Sequence, residues 1–90
     1  MLKNLEDLIL LVRERKNSNL EESYTRKLLS NKSLSTDKVK EEIKELFEAV
    51  EKNSNKIHEA ADVFYHLLMY LEANDVKIEE VMSELEKRKK

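Results

Sequence analysis

Two short acidic strings hold the residues best suited to chemistry in this chain. Glu41-Glu42-Ile43-Lys44-Glu45 and Glu59-Ala60-Ala61-Asp62 each offer carboxylates three residues apart, a spacing that puts both side chains on one face of a helix. At about 100° per residue, Glu42 and Glu45 flank the edge of an apolar stripe of Val39, Ile43, Leu46 and Val50. Lys38 and Ala49 share their ridge, and Glu41 sits further towards solvent. The same construction puts Glu59, Asp62 and His66 on one ridge beside Ala60, Phe64, Leu67 and Leu71. If the two helices pack antiparallel, as their short connection suggests, the acids converge. Converging carboxylates do not all stay ionised without cations. Mg²⁺ is the ion that answers this, because it takes oxygen ligands, keeps waters and shares its shell with substrate phosphates. Against this, 19 acids in 90 residues yield such a triplet about once by chance, and most such clusters are solvated helix faces. Asp62 shifts the balance, since it lies between Ala61 and Val63 in the most apolar segment, where an unpaired charge is costly.

Other residues have blander readings. His66, in Tyr65-His66, invites a catalytic role, but a lone helical histidine is more often structural. Phe64, Tyr65 and Tyr70 read as core residues rather than a base-stacking platform. Ser23-Tyr24-Thr25 offers hydroxyls to a phosphate, with an N-cap and turn filler as the alternative. The tail Lys87-Arg88-Lys89-Lys90 complements a helix C-terminus.

Composition fixes what must position these groups. The chain has no Gly, Pro, Cys or Trp, and 40% of its residues are charged. A phosphate-cradling glycine loop is excluded, because such turns need backbone conformations that glycine alone reaches cheaply. Disulfides and cysteine metal sites are excluded as well. The net charge of −2 argues against nucleic acid as a partner. The apolar run at residues 8–12 is too short to cross a membrane or to act as a secretory segment. A cytoplasmic, all-α, single-domain protein over residues 1–90 is expected. Apolar spacing predicts a helix over residues 3–16 capped by Asn4, a break at residues 17–19, and a short helix within residues 23–29. A polar stretch at residues 30–35 then leads to a long helix capped by Ser35, Thr36 or Asp37. That helix carries Val39, Ile43, Leu46, Phe47 and Val50 on one core stripe and ends near Asn53. Ile57, Ala60, Ala61, Phe64, Leu67, Leu68 and Leu71 mark the central core helix, and Ile78, Val81, Met82 and Leu85 a last one. The expected architecture is a bundle of four main helices plus a short one. A domain this small buries only about 60–65% of its unfolded surface, so a homodimer or higher oligomer is expected.

Taken in order, Arg15-Lys16, Ser23-Tyr24-Thr25 with Leu28, Lys38-Val39 before Glu41-Glu42-Ile43-Lys44-Glu45, and Glu59-Ala60-Ala61-Asp62 running into Tyr65-His66-Leu67-Leu68 resemble phosphoribosyl-ATP pyrophosphohydrolase. EExxE with ExxD marks the wider all-α, MazG-like superfamily of nucleoside triphosphate pyrophosphohydrolases. The SYT segment and the EAAD-x-x-YH string point to the histidine-biosynthesis member. The resemblance implies a dimeric all-α fold that hydrolyses phosphoribosyl-ATP to phosphoribosyl-AMP and pyrophosphate. It implies Glu42, Glu45, Glu59 and Asp62 as Mg²⁺ ligands, with Glu41 or Glu45 acting on the attacking water. Ser23, Tyr24, Thr25 and Lys38 would contact substrate, and Arg15, Lys27 or Arg88 would balance remaining phosphate charge. The chain departs from the family pattern at Asn19-Leu20-Glu21-Glu22 and at Lys40, where relatives commonly carry Pro and Gly, so the loop before SYT is expected to be shaped differently. With no cyclohydrolase segment in view, a monofunctional form is expected. Two other readings stay open: a house-cleaning pyrophosphohydrolase acting on non-standard nucleoside triphosphates, and a non-catalytic helical interaction module.

Overall fold

A computed structural model describes residues 2–16 and 24–89, apart from the side chains of residues 24–26. Among the described residues the chain forms five helices and no strand: α1 (Lys3–Lys16), α2 (Tyr24–Ser30), α3 (Lys32–Lys52), α4 (Lys56–Ala73) and α5 (Ile78–Lys87). The expected break at residues 17–19, Ser23 of the SYT segment and the departures at residues 19–22 lie outside the described residues, as do the side chains of Tyr24 and Thr25. Among the described residues, no helix is long and apolar enough to cross a membrane.

The long helix starts earlier than its sequence suggests. Asn31, in extended conformation, accepts the Leu34 amide on Oδ1 at 3.0 Å, so the cap is Asn31 rather than Ser35, Thr36 or Asp37. Most of the polar stretch is therefore helical: Thr36 Oγ1 donates back to the Lys32 carbonyl at 2.9 Å. Asn4 likewise lies inside α1, whose first turn is closed by the Leu2 carbonyl accepting from Leu5 and Glu6.

A chain without glycine closes its turns with asparagine and aspartate. Asn53 ends α3 in the left-handed region at φ 53°, its N–H reaching Ala49 and Val50, and Ser54 N bonds Ala49 O at 3.0 Å. Asn55 and Asp75 also hold positive φ. Short polar side chains tolerate that conformation better than other non-glycine residues. The tight turn at residues 53–55 folds α4 back along α3.

α4 touches each of the other four helices, as expected of the most apolar segment. The core joins Val12 of α1, Leu28 and Leu29 of α2, Leu68, Met69 and Ala73 of α4, and Ile78 of α5. The apolar stripe expected to be core on α3 is buried only in part: Val39, Ile43 and Leu46 are half-buried, but Phe47 is 64% and Val50 57% exposed, while Ser35, Glu42 and Ala49 are the buried positions. Phe64 and Ile57 on α4 are also exposed, at 57% and 88%. The acid-bearing ridges, not the apolar stripes, therefore face each other across the α3–α4 hairpin. The stripes lie about a quarter turn away on α3 and well over a quarter turn away on α4, and in an antiparallel pair both fall on the same flank.

Candidate functional site

The facing ridges of α3 and α4 bring the predicted acids together. Carboxylate oxygens of Glu42, Glu45 and Glu59 lie within 4.8 Å of one another. A second group, with the same spread, joins Glu59 to Asp62 and His58. Glu59 is common to both, so the two groups form one continuous acidic cleft between the helices.

Burial sets the electrostatics. Glu42 is 8% exposed, and its Oε2 is fully buried with no hydrogen-bond partner. Burial pushes its pKa above the usual carboxylate range, and the Glu45 charge beside it pushes the same way. Glu59 is raised for the same two reasons, and its Oε2 is also buried without a partner. An orphaned buried carboxylate oxygen is costly, and two such orphans on carboxylates of one cluster are a donor set fitted to a hard cation. The all-oxygen composition of Glu42, Glu45, Glu59 and Asp62 suits Mg²⁺.

The remaining expected residues are placed as follows. Glu41 is exposed, and Lys38 Nζ donates to its Oε2 at 3.3 Å. Asp62 is half-buried, with His58 Nε2 at 3.3 Å from Oδ2. His66 is buried, and because a carbonyl only accepts, its Nδ1–H donates to Asp62 O at 2.9 Å. The His66 ring stands edge-on to Tyr65, with centroids 5.0 Å apart. Lys27 is exposed on α2. Arg88 Nε donates to Glu84 one turn back along α5 at 3.2 Å.

A cavity of about 180 Å³ opens beside the acids, walled by Glu45, Glu48, Ala49, Lys52, Ser54, Asn55 and Glu59. Sequence reasoning passed over Lys52, Ser54 and Asn55, which line it because the turn closes there. His58 was also missed, although its place four residues before Asp62 signals a shared helix face. A larger cavity of about 390 Å³, at Arg13, Lys16, Glu72, Asp75, Val76, Lys77 and Glu79, is a different kind of place. Its acids are paired with cations: Arg13 grips Glu79 through both carboxylate oxygens and reaches Glu72 at 3.2 Å, and Lys16 holds Asp75 at 2.8 Å.

Comparison with known proteins gives the family. The family described as Phosphoribosyl-ATP pyrophosphohydrolase matches residues 5–89. The chain belongs to that family. Membership carries the class of activity with it, a hydrolase of histidine biosynthesis. The chain is 40% identical over 87 residues to a phosphoribosyl-ATP pyrophosphatase of Rhodobacter capsulatus, covering 93% of this chain and 84% of that one. It is 42% identical over 91 residues to the histidine biosynthesis bifunctional protein HisIE of Pyrococcus furiosus, spanning all of this chain but 42% of that protein. A histidine biosynthesis trifunctional protein of Saccharomyces cerevisiae is 44% identical over 75 residues, covering 83% of this chain and 9% of its own length. No solved structure is a significant match.

Proposed function

We propose that the chain is a Mg²⁺-dependent enzyme that cleaves the α–β phosphoanhydride of phosphoribosyl-ATP, releasing phosphoribosyl-AMP and pyrophosphate in the cytoplasm. The observation that carries the reading is the buried, unpartnered Oε2 of Glu42, whose carboxylate clusters with those of Glu45 and Glu59. A solvated surface cluster would leave no such group.

Glu42, Glu45, Glu59 and Asp62 would hold the metal. When bound, Mg²⁺ supplies charge stabilisation at phosphate oxygens. The protein's own contribution is positioning for in-line attack. Glu45, on the wall of the 180 Å³ cavity, orients the attacking water and takes its proton. Glu41, held by Lys38, stands one turn earlier as an auxiliary acid. Lys38 and the SYT residues Ser23, Tyr24 and Thr25 contact the substrate, and Lys52 adds positive charge at the cavity wall.

The exposed flank of Phe47, Val50, Ile57, Phe64 and Leu67 is the face a second copy covers, so the working unit is a homodimer. Contiguous apolar surface of this kind marks an interface in a monomer otherwise rich in charge.

The test is pyrophosphate release by the purified protein with Mg²⁺, comparing phosphoribosyl-ATP with ATP and a deoxynucleoside triphosphate panel at equal concentration. Strong preference for phosphoribosyl-ATP is expected. Preference for a free triphosphate would move the chain to a house-cleaning role, and no release from any substrate would leave an interaction module.

A further inference from the structure

His58 stands at the open edge of the acidic cleft, beside two of its carboxylates. It occupies the first turn of α4, one residue before Glu59 and one helical turn before Asp62. Its imidazole nitrogen and the carboxylates of Glu59 and Asp62 lie within 4.8 Å of one another, and Nε2 is 3.3 Å from Asp62 Oδ2. Opposite ligands of one octahedral ion at 2.0–2.1 Å stand about 4.2 Å apart, so the three groups are already close to the span of a single coordination shell. About 100° per residue puts His58 on the flank of the hairpin that carries Glu45, Glu48 and Lys52, opposite the flank of Phe47 and Phe64. The ring therefore borders the open side of the cleft and is 73% exposed along its side chain, free to turn without unpacking anything. An independent sign that the cleft takes a cation comes from its floor. Glu42, more than nine-tenths buried, has an unpartnered Oε2 and belongs to one carboxylate cluster with Glu45 and Glu59, the last being the residue shared with the His58 group.

We propose that His58 supplies a nitrogen ligand beside Glu59 and Asp62, so that the cleft takes a divalent cation through one imidazole and its carboxylates. This rests on the metal-site reading above and adds a donor of different chemistry to it. Carboxylate and water shells suit Mg²⁺, Ca²⁺ and Mn²⁺, whereas imidazole belongs to the ligand sets of transition metals. One nitrogen donor therefore tilts the site from Mg²⁺ towards ions such as Mn²⁺ and Co²⁺. The consequence is selectivity: the His58 nitrogen strengthens Mn²⁺ binding far more than Mg²⁺ binding.

The test uses Mn²⁺ itself as the probe, bound to the full chain and read by pulsed electron paramagnetic resonance for ¹⁴N coupling of a directly coordinated imidazole. Wild type is expected to show that coupling. His58→Gln is expected to keep the bound Mn²⁺, lose the coupling, and weaken Mn²⁺ affinity at least about tenfold, with Mg²⁺ affinity nearly unchanged. Helix content by circular dichroism should be the same in both, given the exposure of the ring. Bound Mn²⁺ without ¹⁴N coupling in wild type would overturn the His58 ligand and leave the carboxylate site standing. Coupling that persists in His58→Gln would assign the nitrogen to another residue and overturn the proposal equally. Absence of any Mn²⁺ binding would remove the metal-site reading along with it.

Discussion

At the scale of single residues, Glu42 is held where it costs the metal-free fold most. Its folded pKa lies above the ordinary carboxylate value of 4.5, chiefly through burial and then through Glu45. A carboxyl whose folded pKa is raised binds its proton more tightly folded than unfolded. The penalty is therefore absent below pH 4.5, grows as pH rises from there through the folded pKa, and is complete above it. Glu42→Gln removes the charge and lets an amide N–H donate to Glu45. The metal-free variant should melt higher than wild type at pH 7, and the two should converge at pH 4, measured by thermal denaturation in chelator. With Mg²⁺ the order should change: an ion that binds only the folded state stabilises wild type by mass action, and the variant loses that gain. Turnover should fall by about 10²–10⁴, the equivalent of several kcal/mol of lost charge stabilisation. A variant that is no more stable without metal and fully active with it would dissolve the site. The acids themselves were legible in the sequence because a three-residue spacing is a local property of one helix. His58 and the cavity wall at Ser54 and Asn55 were not, since their relevance comes from the turn that folds α4 back on α3.

Among the elements, α1 is fastened to the α4–α5 end of the bundle by Arg13 and Lys16, and two of the arginine's contacts are unequal. Arg13 Nε donates to Glu72, whose side chain is 9% exposed, and the rest of its guanidinium grips Glu79, 66% exposed. The two contacts should not weigh the same. A buried carboxylate that loses its cation is left uncompensated, at a cost of about 3 kcal/mol or more, while a solvent-exposed pair is screened and contributes less. Arg13→Ala should therefore lower stability by about 3 kcal/mol in urea titration, and Glu79→Ala by clearly less. Equal losses would show that the exposed pair carries the fastening. The acid side follows with its own sign. Glu79 is depressed to about 2, first by the hydrogen bond from Arg13, so its contribution is present above the ordinary value of 4.5 and fades as pH falls through about 2. Helix number, order and the α4 centre were readable from apolar periodicity. The start of α3 was not: Asn31, Ser35, Thr36 and Asp37 all offer side-chain oxygens to a helix start, and nothing local to the sequence ranks them.

At the level of the whole molecule, the misread apolar stripes become the informative feature. Periodicity finds an apolar face but does not say whether the same chain or another covers it. Phe47, Val50, Ile57, Phe64 and Leu67 lie open on one flank, and the Cα radius of gyration of 14.2 Å exceeds the roughly 12 Å expected of a compact chain of 90 residues. The flank opposite the acidic cleft is thus free to meet a second copy without closing the site. Burying a large apolar side chain stabilises by about 1.5–3 kcal/mol, so placing charge at two of them should raise a dimer dissociation constant at least about 100-fold. Phe47→Glu with Phe64→Glu should elute and scatter light as a monomer at concentrations where wild type is expected to be dimeric. Because association stabilises the fold by mass action, the wild-type melting temperature should also rise with protein concentration, and that of the double variant should not. A wild-type chain that stays monomeric at high concentration, with a melting temperature independent of dilution, would assign the apolar flank to some other partner.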